Sequence, residues 1–250
     1  MSNSVENIAK SALTASTSNT SSIGTLNTTV GSHTSQLADL MNKQWNDFIQ
    51  NTPNPWAGTA VNGGTNPGIA GTSKHPGVRS FISSTNANSG YGYTTSGAPI
   101  VLGGGEKSTV IIKTATTLTG VTRRTGFHDT SDFNAPTDGV YIKILDGVLT
   151  GQAVNNGTIS TTGTNYTIAA DTWYRLKIEL NSDATLATYT LYADDSNTVL
   201  WTDTLSTNIP KVVGRETGHG DICSYSSTTA ITIGYIDYMD IVLPNARRVV

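Results

Sequence analysis

The most informative pattern in the sequence is an alternation of apolar and polar residues within residues 126–180. Aliphatic residues occupy every second position of 140–145, and the segment 173–180 shows the same arrangement. This period of two is typical of a strand that places one face in a core and the other partly in water. Turn residues such as Asp146-Gly147 separate the segments, as expected for strands joined by tight connections.

Short apolar runs separated by Gly, Asn and Asp recur from residue 78 onward. This density of short strands predicts a mostly β fold, an antiparallel jelly-roll sandwich, over residues 78–244. The predicted strands are 78–83, 98–102, 108–114, 118–127, 139–146, 149–154, 157–161, 165–169, 172–181, 186–193, 198–204 and 230–243.

Residues 1–50 have a different pattern, which predicts an N-terminal helical or coiled oligomerisation segment that anchors the protein. The segment 35–50 carries a wide apolar stripe at helical spacing and is predicted to be a helix. Apolar residues upstream follow the 3-4 spacing of heptad a and d positions. The residues assigned to oligomerisation are Ile23, Leu26, Val30, Leu37, Leu40, Trp45 and Phe48.

The segment 1–34 is otherwise rich in Ser, Thr, Asn and Gly, so it cannot bury enough apolar surface to order by itself. We therefore expect self-association or docking on a larger assembly. Because Ser, Thr and Asn are poor helix formers, an intertwined β arrangement of 1–34 stays open beside a helical coil. The helix 35–50 can dock on the chain's own sandwich or pack around a symmetry axis.

The remaining segments are a linker and a tail. Residues 51–77 are rich in Gly, Asn, Thr and Pro and are predicted to be a linker that leads into the sheet. Residues 245–250 are predicted to be a solvated tail that contains Arg247-Arg248.

Composition excludes several classes of protein. Net charge is −3 and only 13% of residues are charged, so no long-range field attracts nucleic acid or an anionic membrane. Cys223 is the single cysteine and cannot form an intramolecular disulfide; we expect it to be a buried small hydrophobe. No run approaches membrane-spanning length, and the first residues lack the apolar core of a signal peptide. We expect the chain to be made in a cytoplasm without a secretion signal.

Several short motifs occur in an order that points to a known family. They are Gly126-Phe127-x-Asp129, the strand from Pro136 to Tyr141, the strand from Trp173 to Ile178, Ile209-Pro210, and the closing strand from Ile236 to Leu243. In this order they resemble the concanavalin A-like jelly roll of bacteriophage virion appendages, the tail fibre and head fibre proteins. The resemblance covers about residues 78–244.

The resemblance implies a virion structural protein. It suggests a homotrimeric fibre or spike that contacts other virion proteins through its N-terminal segment and displays its jelly roll to bind a host-surface glycan. The alternative is a capsid decoration, head fibre or tail adaptor protein without a ligand. Because the fold is shared with lectins and glucanases, the fold alone does not decide between these functions.

An enzymatic function finds little support in the carboxylates. Jelly-roll glycoside hydrolases need two carboxylates on one face of the sheet. The glutamates are Glu6, Glu106, Glu179 and Glu216, and none is paired in that way. The sequence therefore predicts a protein that is not an enzyme, with a polysaccharide-degrading enzyme as a less favoured alternative; lyase chemistry by Tyr and His stays open.

Glycan binding would use an aromatic platform beside polar groups. The candidates are Tyr141, Trp173 and Trp201, which lie opposite the clearest aliphatic rows, and Arg175, which shares the face of Trp173. The competing interpretation is packing in the core or at an edge, because aromatic residues supply much of a sandwich core.

A metal site is a weaker hypothesis. Asp129, Asp132 and Asp138 crowd one loop, and oxygen ligands of this kind suit calcium. Asp is also an ordinary turn residue, which offers a competing explanation. His128-Asp129 and His219-Gly220-Asp221 could supply ligands to a metal, but they lack the close spacing of zinc ligands. The two histidines are interpreted as loop polar residues or as side chains with satisfied hydrogen bonds. No other cofactor is expected.

Overall fold

The computed structural model describes residues 43–47, 56–68, 71–95, 100–194, 196–244 and 247–248, and all of them belong to the unit Lys43–Val250. These residues form strands and connecting turns, and the part so described contains no helix long and apolar enough to cross a membrane. The strands are β1 (Lys43–Asp47), β2 (Trp56–Val61), β3 (Arg79–Ile82), β4 (Ser89–Thr95), β5 (Ile100–Val101), β6 (Lys107–Thr114), β7 (Val121–His128), β8 (Gly139–Leu145), β9 (Val148–Asn155), β10 (Thr158–Thr161), β11 (Tyr166–Thr167), β12 (Trp173–Leu180), β13 (Ala187–Ala193), β14 (Val199–Leu205), β15 (Gly218–Tyr225), β16 (Thr232–Val242) and β17 (Arg247–Arg248).

The strands form two large antiparallel sheets. The seven-stranded sheet has the order β1-β16-β6-β12-β13-β14, with β3 also paired to β16. The eight-stranded sheet has the order β10-β9-β8-β7-β15-β4-β2, with β11 also paired to β9. A small two-stranded sheet joins β5 and β17. The predicted mostly β jelly-roll sandwich is thus confirmed.

The core lies between the two large sheets, where strands such as β8 and β12 place an apolar residue at every second position. Strand β12 alternates half-buried and buried residues along its whole length, and its buried side chains join those of β8 in one cluster. Burying one such aliphatic side chain stabilises the fold by about 1.5–3 kcal/mol. The sheets approach closely where β9 has Gly151: a Cβ there would lie 2.6 Å from the ring of Tyr189 on β13.

The charged and ring nitrogen groups that enter this core at Arg123, Asp221 and His219 are paired. Arg123 and Asp221 form a bidentate ion pair with N–O distances of 2.8 and 2.7 Å. His219 accepts a hydrogen bond at Nδ1 from Trp56 Nε1 (2.9 Å), and its Nε2 lies 2.7 Å from the Ser108 hydroxyl. The expectation that His219 is hydrogen-bonded is confirmed, as is the burial of Cys223 as a free thiol.

Part of the predicted helix 35–50 is wrong. Lys43–Asp47 is a strand that pairs with β16, from Lys43 opposite Val242 to Asp47 opposite Tyr238. Strand β16 pairs with β6 along one edge, so β1 satisfies backbone groups on the other edge that would otherwise be unpaired. This pairing overrides the helical pattern of the sequence. The remainder, 35–42 and 48–50, lies outside the described residues.

The predicted linker and tail also need correction. Trp56–Val61, within the predicted linker 51–77, is β2 of the eight-stranded sheet and pairs with β4. The sandwich therefore begins before residue 78. Arg247–Arg248, within the predicted tail, pairs with β5. In both places the backbone pairs with a neighbouring strand. Neither the turn-rich composition of 51–77 nor the basic composition of 245–250 indicates this pairing.

Candidate functional site

Polar side chains gather on the outer face of the eight-stranded sheet. Strand β7 contributes Arg124 and His128, β8 contributes Tyr141 and Lys143, and β9 contributes Gln152. Register places Arg124 opposite Lys143 and Tyr141 opposite Gln152. Because alternate residues of these strands enter the core, the five side chains share the other face. We call these five residues the outer-face cluster.

Tyr141 is at the centre of the outer-face cluster. Its hydroxyl donates a hydrogen bond to Gln152 Oε1 at 2.8 Å. Burial raises the pKa of Tyr141 to about 12, although the neighbouring positive charge of Arg124 acts in the opposite direction. Tyr141 is therefore a neutral hydrogen-bond donor at neutral pH. The ring of His128 meets its ring edge to face, with centroids 6.1 Å apart.

Arg124 has an unused hydrogen-bond donor. Its side chain is buried on the sheet, with only 8% of the residue exposed. One guanidinium nitrogen, Nη1, donates to the Phe133 carbonyl at 3.1 Å, whereas Nε has no partner among the described residues. Burial lowers the pKa of Arg124, and the nearby Tyr141 and Asp132 partly offset this effect.

His128 has an unused acceptor. Its Nδ1 lies 3.0 Å from the Thr130 carbonyl, and a carbonyl accepts, so Nδ1 carries the proton. Burial lowers the pKa of His128 to about 4, and Arg124 lowers it further. The ring is neutral at pH 7, which leaves Nε2 as an unprotonated acceptor. A backbone contact of Gly220 with the ring acts to raise the pKa of His128, whereas Nε2 makes no hydrogen bond of normal geometry within the part of the chain described.

The connection between β7 and β8 is fixed beside the cluster by its own carboxylates. Asp129 accepts from the Thr137 amide at 2.9 Å, Asp132 accepts from the Asn134 amide at 2.7 Å, and Asp138 accepts from the Asn156 amide at 2.8 Å. These are the three residues predicted to bind calcium. Each carboxylate accepts a backbone hydrogen bond, and among the described residues no three His, Cys, Asp or Glu side chains form a group that could hold a metal ion.

Two of the predicted glycan-binding residues lie on the outer face of the other sheet. Trp173 on β12 stacks against His75, with ring centroids 3.8 Å apart and an interplanar angle of 6°. Arg175 lies over the ring of Tyr192, with its guanidinium carbon 4.3 Å from the centroid, and donates to the Ser196 carbonyl at 3.0 Å. These side chains are therefore separated from Tyr141 by the sandwich.

Trp201 belongs to the core. It is 7% exposed and packs within the cluster between the sheets, while its Nε1 donates to the Thr164 hydroxyl at 3.0 Å. The interpretation of Trp201 as a core residue therefore holds. Of the four predicted glycan-binding residues, Tyr141 alone joins the outer-face cluster.

Sequence reasoning missed Arg124, Lys143 and Gln152 as members of a site. The signal that could have revealed them is the alternation itself. On β7, β8 and β9 these three residues occupy the positions between the core residues, so their side chains lie on the outer face. The oligomerisation residues lie outside the described residues, except Trp45, whose backbone is part of β1.

Comparison with known proteins places the sequence in a family. Residues 74–237, well over half of the chain, match the family described as SO2946-like, C-terminal domain. The chain belongs to this family. The solved structure of the protein of unknown function SO2946 from Shewanella oneidensis MR-1 is similar, with a TM-score of 0.67, 20% identity and coverage of 83% of this chain and 89% of that chain. No curated protein matches the sequence.

Other solved structures share the fold. The carbohydrate recognition domain of Emp47p has a TM-score of 0.54 and 12% identity, over 80% of this chain and 94% of that chain. The CBM2 module of the evolved Dit of Lactobacillus casei BL23 phage J-1 has a TM-score of 0.51 and 11% identity, over 80% and 96%. At such identities the similarity establishes the lectin-like, concanavalin A-like β-sandwich and nothing beyond the fold.

Proposed function

We propose that this protein binds a glycan at the outer-face cluster and does so without chemical turnover. The observation that carries the proposal is the pair of buried, unpartnered polar atoms Arg124 Nε and His128 Nε2 on either side of Tyr141. Buried polar groups are nearly always hydrogen-bonded. A sugar offers both acceptors and donors to such a pair.

The fold of the family is compatible with this proposal. The carbohydrate recognition domain of Emp47p and the CBM2 module of the phage protein use the same sandwich. Ordered water could satisfy Arg124 and His128 equally well, so binding itself must be measured.

The absence of turnover is proposed from the carboxylates. In the described strands of the eight-stranded sheet, none of the outward-facing positions carries Asp or Glu. Glycoside hydrolysis usually requires two such groups. Incubation with the bound glycan should therefore release no new reducing ends, and a steady release would show that the protein is an enzyme.

The test of glycan binding compares the two outer faces. Wild-type protein is applied to a glycan array, and affinity for the strongest ligand is then measured for Lys143→Ala and Lys177→Ala. Both lysines are half-buried, but Lys143 belongs to the outer-face cluster and Lys177 to β12 of the other sheet. We expect only Lys143→Ala to weaken binding. Absence of any array ligand, or weakening by Lys177→Ala alone, would overturn the proposal.

For the biological setting we propose a virion protein in which residues 1–50 assemble three chains into a fibre or spike. Three weak sites presented together would raise avidity without new contacts. The alternative is a capsid decoration or tail adaptor protein without a ligand. Light scattering of the full-length protein distinguishes them: a trimeric mass favours the fibre, and a mass of 26.3 kDa favours a protein that is ordered by docking on a partner.

A further inference from the structure

We infer that the glycan is acidic, with a sugar carboxylate bound by Arg124 and a neighbouring hydroxyl bound by His128. This inference rests on the proposed function and names the ligand class of the same site. It follows from the charges in the outer-face cluster and from its two unpartnered atoms, because Arg124 Nε is a hydrogen-bond donor and His128 Nε2 is an acceptor.

The charge of the cluster favours an anion. Arg124 and Lys143 are cross-strand neighbours, and like charges placed opposite each other are unfavourable. Burial lowers the pKa of Lys143, and Arg124 lowers it further. Asp132 acts electrostatically on Arg124, but its oxygens already accept hydrogen bonds from Thr130 and Asn134. A bound carboxylate would offset the like charges of Arg124 and Lys143 at this cross-strand position.

The hydrogen-bonding pattern requires a second group on the same ligand. Arg124 Nε is a charged donor and suits a carboxylate oxygen, with which arginine forms strong hydrogen bonds. His128 Nε2 is an acceptor and suits a hydroxyl. A neutral sugar would satisfy His128 but leave the guanidinium without an anion. A simple carboxylate would satisfy Arg124 but leave His128 unpaired. A uronate sugar carries both groups.

The spacing of the two residues also fits one sugar unit and its neighbour. Arg124 and His128 are four residues apart on β7, about 13 Å along the strand, and their side chains converge because both contact Tyr141. Gly126 lies between them and opposite Tyr141.

The experiment compares acidic polysaccharides with their own neutral forms. Alginate, polygalacturonate and hyaluronan are each tested by affinity electrophoresis with wild-type protein, before and after reduction of the carboxyl groups to primary alcohols. We expect retardation by at least one acidic polymer, with affinity at least about tenfold lower for its reduced form, the value of one charge-assisted hydrogen bond. Equal binding to both forms, or array ligands that are all neutral, would overturn the inference while leaving the proposed function intact.

Variants locate the carboxylate. Arg124→Gln should weaken binding of the acidic polymer at least about tenfold, whereas Arg175→Gln, which removes an arginine from the outer face of the other sheet, should not change it. Circular dichroism shows whether Arg124→Gln is folded. If it is not, the salt dependence of wild-type binding decides, since screening weakens a carboxylate–arginine contact. Unchanged binding by folded Arg124→Gln, or affinity independent of salt, would contradict the inference.

Discussion

Replacement of Arg123 by Met should be among the most damaging single substitutions in this fold. Arg123 donates to both oxygens of Asp221, at 2.8 and 2.7 Å, and to the Tyr235 carbonyl at 3.0 Å. Its guanidinium also lies 5.5 Å from the centre of the Phe81 ring. The side chains of Arg123 and Asp221 are only 4% and 0% exposed, so water cannot replace a lost partner.

The size of the effect follows from that burial. Arg123→Met removes the only cation paired with the Asp221 carboxylate among the described residues, and leaving one partner of a buried pair alone costs about 3–5 kcal/mol. Domains of this size have a free energy of unfolding of roughly 5–15 kcal/mol. A substitution at this one position would therefore remove a large part of the stability.

Urea denaturation of purified variants measures this cost. The control is Lys107→Met, which breaks an exposed pair with Glu179 at 3.4 Å, where the side chains are 50% and 32% exposed; its cost should be at most about 1 kcal/mol. The double variant Arg123→Met/Asp221→Leu should recover much of the loss, because no unpaired charge is left. A loss below about 1 kcal/mol for Arg123→Met alone would refute the reasoning.

Three further predictions concern protons, metal and packing. Burial lowers the pKa of His128 to about 4 and of His219 to about 3. Between these values and pH 6.5 the unfolded chain therefore binds protons that the folded chain does not. The free energy of unfolding should be highest above pH 6.5 and should fall by about 1.4 kcal/mol per pH unit per histidine as the pH drops toward 4. Urea midpoints between pH 7 and 5 test this, and His128→Gln should have a shallower slope. A chelator should leave the melting temperature unchanged, because Asp129, Asp132 and Asp138 stabilise turns; a drop would restore the calcium hypothesis. Trp201→Ala should cost about 3–5 kcal/mol, and a near-neutral result in thermal melts would contradict its place in the core.

Much of the sandwich was predictable because alternation in a half-buried strand is a direct consequence of its geometry. Strands β8, β12 and β13 have unbroken rows of apolar residues at every second position, and the sequence placed them close to their observed bounds. The rows mark the core face, and together with the density of short strands over residues 78–244 they indicate the fold class.

Two strands escaped prediction because glycine occupies positions where side chains would normally alternate. Strands β4 and β15 contain Gly-x-Gly, which is more typical of turns, yet β15 lies between β7 and β4 within the eight-stranded sheet. The glycine at position 90 is required by close approach, since a Cβ there would lie 1.9 Å from the Cys223 carbonyl oxygen. Such a contact depends on a partner distant in sequence and leaves no local pattern.

The candidate site was predictable only in part for a related reason. Tyr141 attracted notice as an aromatic residue opposite an aliphatic row, but Arg124 and Gln152 look like ordinary solvated positions. Arg124 and Gln152 lie beside Tyr141 only because of the register of β7, β8 and β9. The sequence by itself does not specify that register. Likewise Trp173 and Tyr141 occupy similar positions in their strands, and only the assignment of strands to sheets separates them.

The most direct test of the account is a crystal structure of the protein with the strongest ligand of the glycan array. The account predicts sugar density on the outer face of the eight-stranded sheet, against Arg124, His128 and Tyr141. Density against Trp173 and Tyr192 on the other sheet would contradict it.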